Sequence, residues 1–252
     1  MAEEELKKRT AKGLLWGGIG SGAFQLLNLL FGIFLARLLT PADYGVIGAL
    51  TLFSGVAGML SESGFILAIV NKREVTDRDL NSVFWFNVVV SLLLYAVLFF
   101  LAPLIAEFYR MPEMVPLSRL LFLGFVFGGL SATPTAILFR NMRVKERTQM
   151  MLVAVTLSGT VGVICAYHGW GYWGLAMQNT VYSGSMAVLL WIKCRWLPRA
   201  EFDWSAIKSM LPFSLKQLAT SVFTHINNNF FALLLARFYG MRLTGFYTQG
   251  NK

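Results

Sequence analysis

The sequence is poor in charged residues. Only 14% of its 252 residues are Asp, Glu, Lys or Arg, whereas 56% are hydrophobic. An ordinary soluble domain carries about 25% charged residues, so this chain has too little charge to cover a water-facing surface of its size. The composition therefore excludes a soluble globular domain and favours an integral membrane protein.

Cysteine and acidic residues are also scarce, and their scarcity argues against several kinds of chemical site. Cys165 and Cys194 lie in unrelated segments without disulfide or metal-ligand spacing, and His168 has no second metal-ligating side chain nearby. The loops are too short and too poor in acids for the acid–base chemistry of an integral-membrane glycosyltransferase or acyltransferase. We therefore expect no enzyme, no catalytic residue, no metal site and no cofactor.

Basic residues outnumber acidic ones, 22 to 13, which gives a net charge of +9. They lie between long apolar runs and form no patch interleaved with aromatic residues, so we expect no nucleic acid partner.

A helix that crosses a bilayer needs about 20 apolar residues. Seven stretches are long enough, and residues 238–252 are a candidate start of an eighth helix. The seven expected spans are 13–38, 44–70, 83–106, 119–139, 149–168, 172–192 and 212–237.

The distribution of basic residues predicts the orientation of these spans. With the N-terminus in the cytoplasm, the N-terminal segment and the loops at 71–82, 140–148 and 193–211 carry fifteen lysines and arginines, against five on the outer side. Cytoplasmic loops of membrane proteins are enriched in Lys and Arg. The sequence therefore predicts a cytoplasmic N-terminus and cytoplasmic loops at these three places.

An internal repeat is present at an offset of 200 residues. It superimposes Leu35-Ala36-Arg37 on Leu235-Ala236-Arg237, and further identities are Ser21 with Ser221, Asn28 with Asn228, Phe31 with Phe231 and Gly45 with Gly245. Six spans separate the copies, so both copies enter the membrane in the same direction. This pattern predicts two parallel lobes, a layout found among transporters.

The expected fold is therefore an all-α integral membrane protein, made of a six-helix transporter lobe and the first helix of a second, parallel-repeat lobe. We place the first lobe at residues 1–205 and the start of the second at 206–252. If the two lobes match in length, the native protein is about twice as long as this chain.

Several motifs resemble those of one transporter family. Residues 34–45 read FLARLLTPADYG, which resembles the LARLLxPxDYG signature of Wzx-type polysaccharide flippases, members of the multidrug/oligosaccharidyl-lipid/polysaccharide exporter superfamily. Further matching segments are Ser61–Phe65, Val83–Asn87, Ala102–Ala106 with Phe108-Tyr109, and Arg140–Met142. The resemblance covers almost the whole chain.

This resemblance implies a multi-pass protein of the bacterial inner membrane. Such a protein moves undecaprenyl-diphosphate-linked oligosaccharide from the cytoplasmic to the outer leaflet by alternating access, for lipopolysaccharide, O-antigen or other surface polysaccharide. The implied partners are the lipid-linked oligosaccharide, membrane lipids and the polysaccharide polymerase machinery. The alternative within the superfamily is a drug–cation antiporter, and a passive membrane scaffold would leave the repeat unexplained.

Seven polar residues within or beside the expected spans are candidates for a substrate cavity. A cation is needed to hold a diphosphate at membrane depth, and Lys216 is the best candidate because it lies inside a span. Arg37 and Arg237 either line the mouth of the cavity or reach the lipid headgroups as long side chains do. Gln25, Asn28 and Asn227 either line the cavity or form hydrogen bonds between helices. The seven candidates are Lys216, Arg37, Arg237, Gln25, Asn28, Asn227 and Glu62.

Glu62 is the one carboxylate within the second expected span. An ionisable group at membrane depth is a functional candidate, and it is the only one here that could couple an antiporter to a cation. Small residues flank it, however, which is equally typical of a helix break. Both interpretations stay open.

Two motifs predict helix starts. In Thr40-Pro41-Ala42-Asp43, the threonine can cap the helix, proline suits its first position and the aspartate can return to the capping amide. Thr76 and Asp79 have the same spacing ahead of the third span. We expect both motifs to act as capping boxes.

Overall fold

The computed structural model describes residues 2–62, 65–72 and 74–250, and these ranges contain helices and no β-strand. In chain order the helices are α1 (Ala2–Leu38), α2 (Pro41–Glu62), α3 (Phe65–Asn71), α4 (Asp77–Tyr109), α5 (Met114–Arg140), α6 (Val144–Tyr167), α7 (Tyr172–Cys194), α8 (Trp204–Phe238) and α9 (Met241–Gly250). The predicted all-α fold class is confirmed.

Six of the seven expected spans lie, to within one residue, inside a single helix. The second expected span, 44–70, was wrong as a single helix, because α2 ends at Glu62 and α3 begins at Phe65. The small residues that flank Glu62 in the sequence left a helix break as one of two interpretations, and the boundary lies at that place. Residues 63 and 64 and the side chain of Glu62 lie outside the described part of the chain.

The helix starts follow the two predicted capping boxes. At α4 the Thr76 side chain accepts a hydrogen bond from the Asp79 amide, and the Asp79 carboxylate accepts one from the Thr76 amide. At α2 the Asp43 carboxylate accepts from the Thr40 amide at 2.8 Å, and Pro41 is the first helical residue. Asp203 caps α8 in a simpler way, and its hydrogen bonds from Ser205 hold the pKa of the carboxyl below its usual value.

Apolar surface shows that this bundle belongs in a membrane. Trp16–Leu38 of α1, and α4, α5 and α6 in full, are long and apolar enough to cross a bilayer. On α4, Leu93 and Val97 are more than half exposed and Phe100 is 77% exposed. A soluble protein rarely leaves such a continuous apolar patch open to water. The chain is therefore a multi-pass membrane protein.

A buried apolar cluster joins α2, α4, α5 and α7. Its members include Leu50 of α2, Ile105 of α4, Phe122 of α5 and Ala176 of α7. Phe122 and Phe125 stack with their ring centroids 5.7 Å apart. Antiparallel pairs surround this cluster, with α4 against α5 and α6 against α7, and α1 packs parallel to α6.

The loops meet at two ends of the bundle. At the first, which we call the Arg140 end, the Arg140 guanidinium donates to the carbonyls of Ile69 and Lys72, and Arg143 donates to the carbonyl of Lys193. At the opposite end, the Asp43 end, the Asp43 carboxylate accepts from the Tyr172 amide at 2.9 Å. The three basic loops therefore lie together at one end of the bundle.

Helix boundaries repeat at the offset seen in the sequence. Helix α1 ends at Leu38 and α8 at Phe238, whereas α2 begins at Pro41 and α9 at Met241. The corresponding helices α2 and α9 pack directly on each other. A Cβ atom added at Gly245 would lie 1.7 Å from the carbonyl oxygen of Pro41, so only glycine allows this approach of the two backbones.

Candidate functional site

A cavity lined partly by polar side chains lies in the bundle, between α2, α3, α5, α6 and α7. Its volume is about 530 Å³. It is lined by Thr51, Ser54, Ser131, Thr135, Arg147, Asn179, Tyr182 and Ser183 among apolar side chains. Hydroxyl and amide groups gathered inside an otherwise apolar membrane bundle can donate to and accept from a polar ligand.

A second cavity of about 300 Å³ continues the first toward the Asp43 end. The two share Ile47, Thr51, Asn179 and Tyr182 as lining residues. The second cavity adds Asn28, Tyr44, Ser158, Gln178 and Thr248. We call the two together the chamber.

Arg147 is the one formally charged side chain among the described residues that line the chamber. Its guanidinium carbon lies 4.6 Å from the centroid of the Phe139 ring, which places it toward the Arg140 end. Its Nε atom is buried and has no hydrogen-bond partner among the described residues. A buried donor without a partner is costly, so a ligand that accepts from it would be favoured.

The neighbouring basic residues are engaged elsewhere. Arg143 forms two hydrogen bonds with the Glu146 carboxylate, at 2.7 and 2.5 Å. The Lys145 ammonium lies 4.9 Å from the centroid of the Trp16 ring. Of these three basic residues at the start of α6, Arg147 is the one that lines the chamber.

At the other end of the chamber, the hydroxyl of Tyr44 is also buried without a hydrogen-bond partner among the described residues. Asn28 lies in the same part of the chamber and donates to the carbonyl of Phe24 in its own helix. The chamber thus has a cation toward one end and neutral polar groups toward the other.

Of the seven candidates predicted from the sequence, the structure places Asn28 in the chamber. Lys216 and Asn227 of α8 and Gln25 and Arg37 of α1 have exposed side chains. Arg237 is exposed as well, and its guanidinium carbon lies 5.0 Å from the centroid of the Phe108 ring of α4. The Glu62 side chain lies outside the described part of the chain.

Sequence reasoning missed Arg147, which it assigned to the loop at 140–148. In the structure α6 already begins at Val144, so Arg147 lies one turn inside a helix. Ser158 follows eleven residues later, which is close to three helical turns and therefore on the same face. That spacing is the signal from which the chamber-lining face of α6 could have been found.

The Asp43 end of the bundle is tied together by hydrogen bonds. Besides capping α2, the Asp43 carboxylate accepts from the first amide of α7 at Tyr172. The Tyr172 hydroxyl in turn donates to the Glu113 carboxylate. This network joins the starts of α2 and α7 to the loop before α5.

Comparison with known proteins places this arrangement in a family. Residues 34–252 match the family described as polysaccharide biosynthesis protein. Over 244 residues the chain is 22% identical to the teichuronic acid biosynthesis protein TuaB of Bacillus subtilis, a match that covers 96% of the chain and 50% of the relative. It is 24% identical over 249 residues to the lipopolysaccharide biosynthesis protein WzxC of Escherichia coli, covering 96% and 50%.

A third relative, the succinoglycan biosynthesis transport protein ExoT of Rhizobium meliloti, is 26% identical over 249 residues, which cover 97% of the chain and 50% of the relative. The chain thus spans about half the length of these curated relatives. No solved structure matches it. Because the family match covers most of the sequence, the chain belongs to the polysaccharide biosynthesis protein family.

Proposed function

We propose that the protein is a non-enzymatic flippase that moves an undecaprenyl-diphosphate-linked oligosaccharide across the bacterial inner membrane. The relatives named for lipopolysaccharide biosynthesis and succinoglycan transport support a role in surface polysaccharide export. The observation that carries the proposal is the chamber, because its hydroxyl and amide groups lie within a bundle in which four helices are long and apolar enough to cross a membrane. A saccharide needs such groups to replace water along its path.

The Arg140 end is the cytoplasmic end in this proposal. It holds the basic loops at 71–82, 140–148 and 193–211, and Lys and Arg are enriched in cytoplasmic loops. The Asp43 end then faces the outer side of the membrane, and the N-terminus is cytoplasmic. A lipid-linked precursor made in the cytoplasm would enter near Arg147, and polysaccharide polymerase machinery would receive it on the outer side.

Transport by alternating access needs a second lobe against which the first can rock. We propose that residues 1–205 are the first six-helix lobe and that 206–252 begin the second. In this arrangement the exposed side chains of Gln25 and Arg37 on α1, and of Lys216 and Asn227 on α8, line the space between the lobes. Arg237 lies at the outer end of that space.

Deletion of the gene tests this function. We expect a strain without it to lose surface polysaccharide and to accumulate lipid-linked oligosaccharide in the cytoplasmic leaflet, and the complete gene to reverse both effects. Residues 1–252 expressed alone should not reverse them. An unchanged distribution of lipid-linked oligosaccharide in the deletion strain would contradict the proposal. Proton- or sodium-dependent efflux of small cations by the purified protein, without that accumulation, would support a drug–cation antiporter instead.

A further inference from the structure

We propose that Arg147 binds the diphosphate of the lipid-linked substrate inside the first lobe, with the saccharide extending toward Asn28 and Tyr44. This inference rests on the proposed function, and it adds the residue, the position and the direction of binding. It differs from the sequence-based expectation, in which Lys216 is the best candidate to hold the diphosphate.

The positive charge of Arg147 needs a compensating anion. A cation with a donor buried in a cavity costs free energy unless an anion or a set of acceptors compensates it. Glu146, the carboxylate next to it in sequence, is already paired with Arg143 at 2.5 Å. Among the described lining residues of the chamber there is no carboxylate. The compensating anion would therefore come from a ligand.

The geometry of the Arg147 guanidinium suits a phosphate ligand. Arginine presents several N–H donors in one plane and suits phosphate oxygens. The Phe139 ring packs at 4.6 Å from the guanidinium carbon, which holds the group in place without using its hydrogen bonds. Nε is buried and has no partner among the described residues, so at least one donor is free for a ligand.

The direction of binding follows from the rest of the chamber. From Arg147 the lining continues through Tyr182 and Asn179 to Asn28 and Tyr44, all of them neutral. Neutral hydroxyl and amide groups match the hydroxyl groups of a saccharide, which can both donate and accept. The unpartnered Tyr44 hydroxyl marks the end of this neutral part.

Binding of a defined anionic lipid tests the role of Arg147. The complete protein is placed in lipid nanodiscs, and its Kd is measured for farnesyl diphosphate, for the uncharged alcohol farnesol and for inorganic diphosphate. We expect Arg147→Gln to bind farnesyl diphosphate at least about tenfold more weakly than the unmodified protein, the size expected for loss of hydrogen bonds to a charged group. Arg147→Lys should bind with intermediate affinity, and farnesol binding should not change.

Lys145→Gln is the matched control. It removes the same charge from the same turn of α6, but Lys145 is exposed and packs on Trp16 outside the chamber. We expect its Kd for farnesyl diphosphate to stay within about twofold of the unmodified protein. Competition by inorganic diphosphate at the same site would show that the phosphates and not the prenyl chain are recognised. Equal affinity of Arg147→Gln and the unmodified protein for farnesyl diphosphate would overturn the inference.

A second measurement needs no variant, in case Arg147→Gln does not fold. The unmodified protein is treated with phenylglyoxal, and the modification of each arginine is followed by mass spectrometry. Farnesyl diphosphate should slow the modification of Arg147 by about tenfold, whereas farnesol should not, and the exposed Arg195 should react equally in both cases. Equal modification of Arg147 with and without farnesyl diphosphate would overturn the inference.

The two proposals fail in different ways. If the complete gene restores export but Arg147 shows neither protection nor a change in Kd, the position of the diphosphate is wrong and the flippase function stands. If deletion of the gene leaves lipid-linked oligosaccharide where it was, and the unmodified protein does not bind farnesyl diphosphate, both proposals are wrong.

Discussion

At the scale of single residues, the position of a charge decides what it can do. Arg147 and Arg143 are four residues apart, yet Arg143 is paired with Glu146 and Arg147 lines the chamber. A count of basic residues for topology treats the two alike. The sequence could therefore predict the basic loop but not the cation that faces the chamber.

Lys216 remains the cation proposed between the lobes, and we expect Lys216→Ala in the complete protein to slow flipping at normal membrane abundance. Loss of one cation that contacts the substrate costs roughly 1.5–3 kcal/mol, or about tenfold or more in rate. Lys216→Arg should keep most of the activity because the charge persists, and Arg37→Ala should do less harm. Normal flipping by Lys216→Ala would assign this polar face of α8 to helix packing.

We expect Asp43 to stabilise the fold through two interactions, its capping box at α2 and its hydrogen bond to the start of α7. It accepts hydrogen bonds from the Thr40 amide and from the Tyr172 amide of another helix. Loss of a helix cap costs about 1 kcal/mol, so Asp43→Ala should lower the Tm of the purified protein by several degrees. Asp77→Ala, which removes an exposed first-turn acid, is the control. Equal Tm values for the two variants would contradict this role.

At the scale of elements, hydropathy predicted where most helices lie, and the structure lengthens them. Helix α4 extends to Asp77–Tyr109 from an expected span of 83–106, because the capping box at Thr76 and the turn at Arg110 lie beyond the apolar run. The boundary between α2 and α3 lies at Glu62, where the sequence left a helix break as one of two interpretations. The chamber was missed, because its lining comes from several helices whose contacts no local pattern encodes.

The segment between α7 and α8 is predicted to be held in place by the start of α4. The Asn81 side chain accepts from the Arg199 amide at 2.9 Å, and the Ser82 hydroxyl accepts from the Asp203 amide at 2.8 Å. We expect Asn81→Ala to expose this segment, so that trypsin cleaves after Arg195 and Arg199 several times faster. Asn71→Ala, at an exposed position, is the control. Unchanged cleavage rates in Asn81→Ala would show that the segment is held by other contacts.

At the scale of the whole molecule, the proposed orientation in the membrane is tested at the two ends of the bundle. After replacement of Cys165 and Cys194, a cysteine placed at Lys145 should react with a membrane-impermeant thiol reagent only in opened cells. A cysteine at Gly169, in the turn between α6 and α7 at the Asp43 end, should react in intact spheroplasts. The reverse pattern would invert the proposed orientation.

The contact between α2 and α9 joins the two copies of the repeat at the Asp43 end. A disulfide across this contact tests whether the two helices separate during transport. A Cβ atom at Gly48 would lie 3.4 Å from the Cβ atom of Thr248, close to the separation found in disulfides. We therefore expect Gly48→Cys with Thr248→Cys to form a disulfide on oxidation of the complete protein, in a background without Cys165 and Cys194. If transport requires the lobes to separate here, oxidation should abolish flipping.

Reduction should restore flipping by the double variant, and each single cysteine variant should be insensitive to oxidation. The extent of cross-linking is measured by the shift in electrophoretic mobility after a protease cut between the two cysteines. Abolition that reverses on reduction means that α2 and α9 must part during each cycle, so the glycine contact closes the path at the outer side. Full flipping with complete cross-linking means that α2 and α9 stay together throughout transport. The Asp43 end then stays closed, and the substrate leaves the protein by another route.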